Sequence, residues 1–196
     1  MTDFLSANYW ENRYKDQTTG WDIGSASTPL VTFINSIENK YAAILIPGCG
    51  NSYEAEYLIQ NGFTNVTVID FASTPVEAMK QKFSEKPLKI LQQDFFKHEG
   101  QYDYILEQTF FCALDPALRA AYVKKMSTLL NADGVLAGLL FHKTFENNPP
   151  FGGSKEEYQL LFSTHLHVQK MELCTNSIKA REGTELFFIA KNLALA

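Results

Sequence analysis

Short apolar runs alternate with stretches whose apolar residues recur every three or four positions. AILI (43–46) is short, continuous and apolar, the mark of a strand buried on both faces. The turn Pro47-Gly48-Cys49-Gly50-Asn51 follows, and a helix is predicted from about Ser52 to Gln60, stopped by Asn61-Gly62. VTVID (66–70) reads as a second strand. Thr74-Pro75-Val76-Glu77 has the form of a capping box with proline at the first helical position, so a helix is predicted to start there. LKILQ (88–92) and YDYIL (102–106) supply two more strands. Asp115-Pro116 then caps an amphipathic helix with Leu118, Tyr122, Met126, Leu129 and Leu130 on one face. Asp133-Gly134 reads as a turn into the strand VLAGLLF (135–141), and Ser154 to Glu157 as a capping box opening a helix to about Phe162.

The last third changes character. HVQKMELC (167–174) and ELFFIAK (185–191) are separated by a polar loop in which no helix fits, so they should pair antiparallel. The pattern predicts an α/β fold: a doubly wound, mostly parallel seven-stranded sheet ending in an antiparallel strand pair. Residues 1–40 read as a helical, aromatic-rich flap and 41–196 as the sheet core of one domain covering 1–196, since no linker or repeat divides the chain.

Composition narrows the class of partner. A chain of 196 residues is long enough to bury roughly 70% of its unfolded surface. Its net charge of -5, without a Lys/Arg run, argues against a phosphate backbone as main partner. Cys49, Cys112 and Cys174 are scattered and form no C-x-x-C pair, so neither a disulfide framework nor a zinc ribbon is indicated. His165 and His167 share a strand face but lack a third ligand, and no metal site is expected. The first residues lack a signal-peptide pattern, and the run 135–141 is far shorter than the ~20 residues of a membrane helix. These features predict a cytoplasmic protein, a monomer or weak homodimer, whose partner is a small molecule rather than nucleic acid or membrane.

Two features then coincide. Gly48 and Gly50 lie in the turn leaving the first strand, and Asp70 ends the second strand 20 positions after Gly50. Glycines let backbone approach a ligand closely, and a strand-terminal carboxylate can accept both hydroxyls of an adenosine ribose. A pyrophosphate fingerprint would need glycine at 53, where Tyr53 stands, so a nicotinamide dinucleotide is disfavoured. S-adenosylmethionine (SAM), with no phosphate, fits this turn better. Asp94, just past the third strand, stands where SAM-dependent enzymes hold the adenine amino group, with Phe95 or Phe96 expected against the ring. Trp10, Tyr14 and Trp21 fall within 12 positions; aromatic faces attract a sulfonium by ~0.5–2 kcal/mol.

These residues also carry a family resemblance. YWENRYKDQTTGWDIG (9–24), LIPGCGNSYEAEYL (45–58), VTVIDFA (66–72), QDFF (93–96) and TFFCALDPALRAAYVKKMSTLL (109–130) resemble the thiopurine methyltransferase family, particularly its thiol/halide branch. The resemblance implies a class I methyltransferase sheet, Rossmann-like, with SAM as donor. It puts Trp10 and Trp21 at SAM-contacting aromatic positions, Tyr14 where the branch has tryptophan, and Gln108 where it has a tyrosine near the cofactor. It gives Gly48 the strand-one turn, Asp70 the ribose and Asp94-Phe95 the adenine, and matches Arg119 to an active-site arginine. Phe151 replaces a tyrosine of the PPY segment found in some members, so a phenol that could assist proton removal is missing.

Methyl transfer from SAM needs mainly positioning and exclusion of water. The expected reaction is methylation of a soft nucleophile, a thiol, thiopurine-like sulfur or halide, with Phe151 in the substrate pocket and Arg119 attracting the anion. Two alternatives stand beside it. Asn148-Pro149-Pro150-Phe151 spells the NPPF signature of amino-group methyltransferases, though it follows the fifth strand rather than the fourth. A non-catalytic SAM- or nucleotide-binding regulator could use the same sheet.

Overall fold

The computed structural model describes residues 5–192; residues 1–4 of the expected flap and 193–196 of the expected domain lie outside them. Its strands are β1 (Ile44–Pro47), β2 (Val66–Asp70), β3 (Leu88–Gln92), β4 (Tyr102–Gln108), β5 (Leu130–Phe141), β6 (Leu166–Leu173) and β7 (Glu185–Asn192). They form one sheet in the order β3-β2-β1-β4-β5-β7-β6. The first five run parallel, and β7 pairs antiparallel with both β5 and β6. The predicted α/β sheet and its antiparallel pair are therefore present, with β7 inserted between β5 and β6.

The two faces follow from strand periodicity. Ile44, Ile46, Val66 and Val68 pack with Leu30 and Ile34 of α2 (Thr28–Asn35), Ala55 and Leu58 of α3 (Tyr53–Gln60), and Met79 of α4 (Ser73–Lys82). Leu45, Ile69 and Ile105 point the other way. They pack with Tyr122 and Met126 of α5 (Arg119–Leu129) and with Tyr158 and Phe162 of α6 (Lys155–Phe162). Each fully buried aliphatic side chain contributes about 1.5–3 kcal/mol of transfer free energy. The N-terminal helix α1 (Ala7–Lys15) buries none of its residues completely and packs on α4. Among the described residues no helix is long and apolar enough to cross a membrane.

Four local expectations are corrected. Asp115 caps the short 3-10 turn Pro116–Leu118 and α5 begins only at Arg119, so Leu118 is exposed and Leu130 opens β5 rather than completing the buried helix face. Helix α4 starts at Ser73 with Ala72 as cap, and Thr74 does not form the expected box. Its amide and hydroxyl instead donate to the Glu11 carboxylate of α1, at 3.0 and 2.6 Å. The turn expected at Asp133-Gly134 is an irregularity within one twelve-residue strand, where Asp133 takes φ 62° and the register against β4 shifts. Ser154 does cap α6, accepting the Glu157 N–H at 3.2 Å, but the Glu157 carboxylate turns to Arg119 rather than back to the cap.

Candidate active site

Strand order reverses beside β1, which has β2 on one side and β4 on the other. Loops leaving the carboxyl ends of β1 and β4 diverge there and leave a crevice, the usual ligand position in an open α/β sheet. A cavity of about 680 Å³ opens at this place. On its β1–β3 side it is lined by Gly48, Asp70, Asp94, Phe95 and Phe96, on the flap side by Trp10, Tyr14 and Trp21. A second cavity of about 40 Å³ adjoins it, bounded by Gly50, Gln108 and Glu54, and shares Trp21, Gly48 and Thr109 with the first.

Gly48 and Gly50 take φ +58° and +49°, a left-handed conformation that favours glycine. The space a Cβ would need is filled by protein. At Gly48 it would run into the Phe110 ring, and at Gly50 it would come within 2.8 Å of the Tyr14 hydroxyl. The glycines thus admit the aromatic walls of the cavity, a role distinct from the expected approach to ligand. Asp70 is buried and holds the turn shut. One carboxylate oxygen accepts the Gly50 N–H at 3.0 Å and the other the Ala72 N–H at 3.0 Å. Burial raises its pKa, while those amides pull it back. Each oxygen keeps a further lone pair for a ligand hydroxyl.

Asp94 caps the short 3-10 turn Phe95–Lys97 by accepting the Phe96 N–H at 2.9 Å. The Phe95 ring serves core and cavity together, packing edge-on against Phe110 with centroids 5.1 Å apart. The three flap aromatics converge as expected of a cluster. Trp21 meets Trp10 at 5.3 Å and Tyr14 at 5.8 Å, both edge-to-face. Three contacts clasp this flap down: Glu11 to Thr74, the Tyr53 hydroxyl and Asn51 amide to Asp22, and Arg181 to the Trp21 carbonyl at 2.7 Å. Gln108 faces the smaller cavity, and its amide nitrogen is buried with no hydrogen-bond partner among the described residues.

Arg119 and Phe151 are placed otherwise than expected. Arg119 stands outside the cavity. Its guanidinium donates to Glu157 at 3.0 Å and to the carbonyls of Phe151 and Gly152 at 3.3 and 3.0 Å, and stacks over the Phe111 ring. Phe151 gives its N–H to the Cys112 carbonyl at 2.7 Å, and Pro149 and Pro150, not its ring, line the wall. The family resemblance matched Arg119 to an active-site arginine but could not show that α6 packs on α5 and draws its guanidinium to Glu157.

Sequence reasoning missed Phe110, Phe141, Lys143, Phe145 and Arg181, all on the cavity wall. The pair Arg181 and Glu185, four apart at a strand entrance and joined at 3.2 Å, was the available signal. It also missed Glu107, fully buried at the end of β4. Its carboxylate accepts the N–H groups of Phe110 and Phe111 and the Tyr122 hydroxyl, the last at 2.6 Å. Burial pushes Glu107 up to about 7 against the pull of those donors. Cys112 lines the cavity, and burial holds its thiol well above the ordinary range, so it stays protonated and is a poor nucleophile toward a methyl donor. Among the described residues no group of three or more His, Cys, Asp or Glu stands together to hold a metal.

The thiopurine S-methyltransferase family model matches residues 5–191. Probable thiol methyltransferase 2 of Arabidopsis thaliana is 30% identical over 161 residues, 79% of this chain and 71% of that protein. Thiocyanate methyltransferase 1 of Brassica oleracea is 27% identical over 184 residues, 90% of this chain and 81% of its own. The fold matches the 1,6-didemethyltoxoflavin-N1-methyltransferase of Burkholderia thailandensis, solved with S-adenosylhomocysteine. That match has a TM-score of 0.79 at 16% identity and covers 96% of this chain and 87% of the other. The chain belongs to the thiopurine S-methyltransferase family and is a SAM-dependent methyltransferase.

Proposed function

We propose that the chain methylates the sulfur of a small thiol or thiopurine-like compound. The observation that carries this reading is the contrast between the two ends of the cavity. Toward β1–β3 it offers the acids Asp70 and Asp94 and the flap aromatics, which suit a ribose, an adenine and a sulfonium. Toward β5 and β7 it offers Phe141, Phe145, Pro149 and Pro150, with the cations Lys143 and Arg181. A wall of cations and apolar groups suits a nucleophile that arrives ionised, as a thiolate does. The orphaned Gln108 amide in the adjoining cavity is a donor suited to the carboxylate of the amino-acid part of SAM. When bound, SAM supplies a methyl carbon already activated by its positive sulfur.

In this reading Trp10, Tyr14 and Trp21 exclude water and face the sulfonium, Asp70 orients the ribose, and Asp94 with Phe95 receives the adenine. Arg119 braces the 149–153 loop from behind. The thiol and thiocyanate relatives favour a sulfur acceptor. The amino-group reading loses ground because the Phe151 backbone is engaged by Cys112 and Arg119 and its ring is absent from the wall. The test is transfer of labelled methyl from SAM to a panel of thiols, thiopurines, iodide and amines. Labelled thioethers are the expected products; labelling of amines alone would overturn the proposal.

A further inference from the structure

A buried run of polar side chains lies behind the Asp94 end of the cavity. His98 follows the 3-10 turn Phe95–Lys97 and is 3% exposed. Its Nδ1 meets the Gln93 Oε1 at 3.2 Å and its Nε2 the Tyr102 hydroxyl at 2.8 Å. Tyr102, at the start of β4, is buried in turn, and the Thr67 hydroxyl of β2 bonds to it. Gln93 is the member that reaches the cavity, beside Asp94 and Phe95, while His98 is not on the wall. The Gln93 backbone N–H donates to the Asp70 carbonyl at 2.9 Å, so this residue ties the end of β2 to the Asp94 turn.

The imidazole decides which way the Gln93 amide faces. Burial, joined by the positive charges of Lys125 on α5 and Lys89 on β3 and opposed by Glu99, holds the His98 pKa below its ordinary value. A neutral imidazole has one N–H and one acceptor nitrogen. The Gln93 oxygen can only accept, so Nδ1 carries the hydrogen and Nε2 accepts the Tyr102 O–H. With its oxygen turned to His98, Gln93 has N–H groups left to offer. One leans on the Lys97 carbonyl at 3.4 Å; the other is left for a ligand.

An acceptor at Asp94 and a donor at Gln93 together match the amino group of adenine and the ring nitrogen beside it. Hypoxanthine reverses both, with a carbonyl in place of the amino group and an N–H at that ring nitrogen. A site whose polar groups are fixed rejects a base that leaves them mispaired. We propose that His98 is a positioning residue of the donor site: by holding the Gln93 amide with its nitrogen toward the cavity, it makes the site select adenine over a 6-oxo purine. This rests on the reading that Asp94 and Phe95 receive the adenine.

The experiment compares, by calorimetry, the affinities for S-adenosylhomocysteine and for its deaminated S-inosyl analogue in the parent, His98→Phe and His98→Asn. The parent should prefer the adenosyl compound about a hundredfold. Phenylalanine fills the space but frees the amide to turn its oxygen outward, so the ratio should fall about tenfold. Asparagine places an N–H near the position of Nδ1, so His98→Asn should keep most of the ratio even though it gives up Tyr102 and melts earlier. A ratio unchanged in His98→Phe, or one that tracks melting temperature across the variants, overturns the inference and leaves the adenine seat standing. Equal affinities in the parent overturn both. Nitrogen-15 NMR of the parent with labelled histidine needs no variant: His98 should show the Nδ1–H tautomer, and an Nε2–H tautomer overturns the inference.

Discussion

Replacing Glu107 by glutamine isolates the effect of one fully buried carboxylate on stability. Glutamine keeps an oxygen for the Phe110 and Phe111 amides and presents an NH₂ to the Tyr122 oxygen, much as a protonated Glu107 would. In the parent, burial lifts this carboxyl from an ordinary 4.5 to about 7. A raised pKa means that the folded state binds the proton more tightly than the unfolded state. Stability then falls as pH climbs from about 4.5 to about 7 and levels off above. At about 1.4 kcal/mol per pH unit, the loss is at most about 3 kcal/mol. Urea unfolding across this window, read as midpoint at constant slope, should show the two proteins alike near the acid end. Toward neutrality Glu107→Gln should become the more stable by up to about 3 kcal/mol. Buried Glu54 and Asp70 also have raised pKa values but are common to both proteins, so they cancel in the difference. Parallel curves through the window would refute the reasoning.

Other outcomes follow from the same geometry. Gly48→Ala combines a left-handed backbone with a collision against Phe110, a strain of about 1–3 kcal/mol; calorimetry should show SAM affinity reduced about tenfold or more. Arg119→Met should destabilise by about 2 kcal/mol through the loop carbonyls it leaves unpaired, lowering the melting temperature. A raised acceptor KM with stability unchanged would instead favour direct attraction of the nucleophile. Thr74→Val removes both the hydroxyl and the tight seat of Glu11, whose carboxyl the Thr74 hydroxyl and amide, opposing its desolvation, hold down to about 2. The variant should bind SAM about fivefold more weakly. Because this carboxyl is depressed, its contribution is present above about 4.5 and vanishes toward 2; acid titration should show the two proteins converging there.

What was legible in the sequence was local. Strands were located within about three residues of their ends, apart from the extra start of β5. The half-exposed β3 and β6 were read from short strand-like runs between turns, while burial on both faces marked β1 and β2 by a signal that needs no partner to be read. The cavity's donor end was legible for the same reason: Gly48, Asp70 and Asp94 sit at fixed offsets from strand ends. The acceptor end was not. Lys143 and Arg181 lie on loops after β5 and before β7, and only the antiparallel insertion of β7 brings them to one wall. Thr74 shows the same limit at a helix start. A local cap was available, and a carboxylate 63 positions away took its donors.

The insertion of β7 has a consequence for how the molecule is made. Its residues follow every other strand in the chain, yet they occupy an interior place in the sheet. During vectorial synthesis the row of amides and carbonyls along β5 waits open, and β6 has no neighbour, until 185–192 emerges. Such an uncovered edge is a template for wrong pairing with other chains. The nascent protein therefore completes its half nearest the donor first, and stays most prone to aggregation until the final strand closes the acceptor wall.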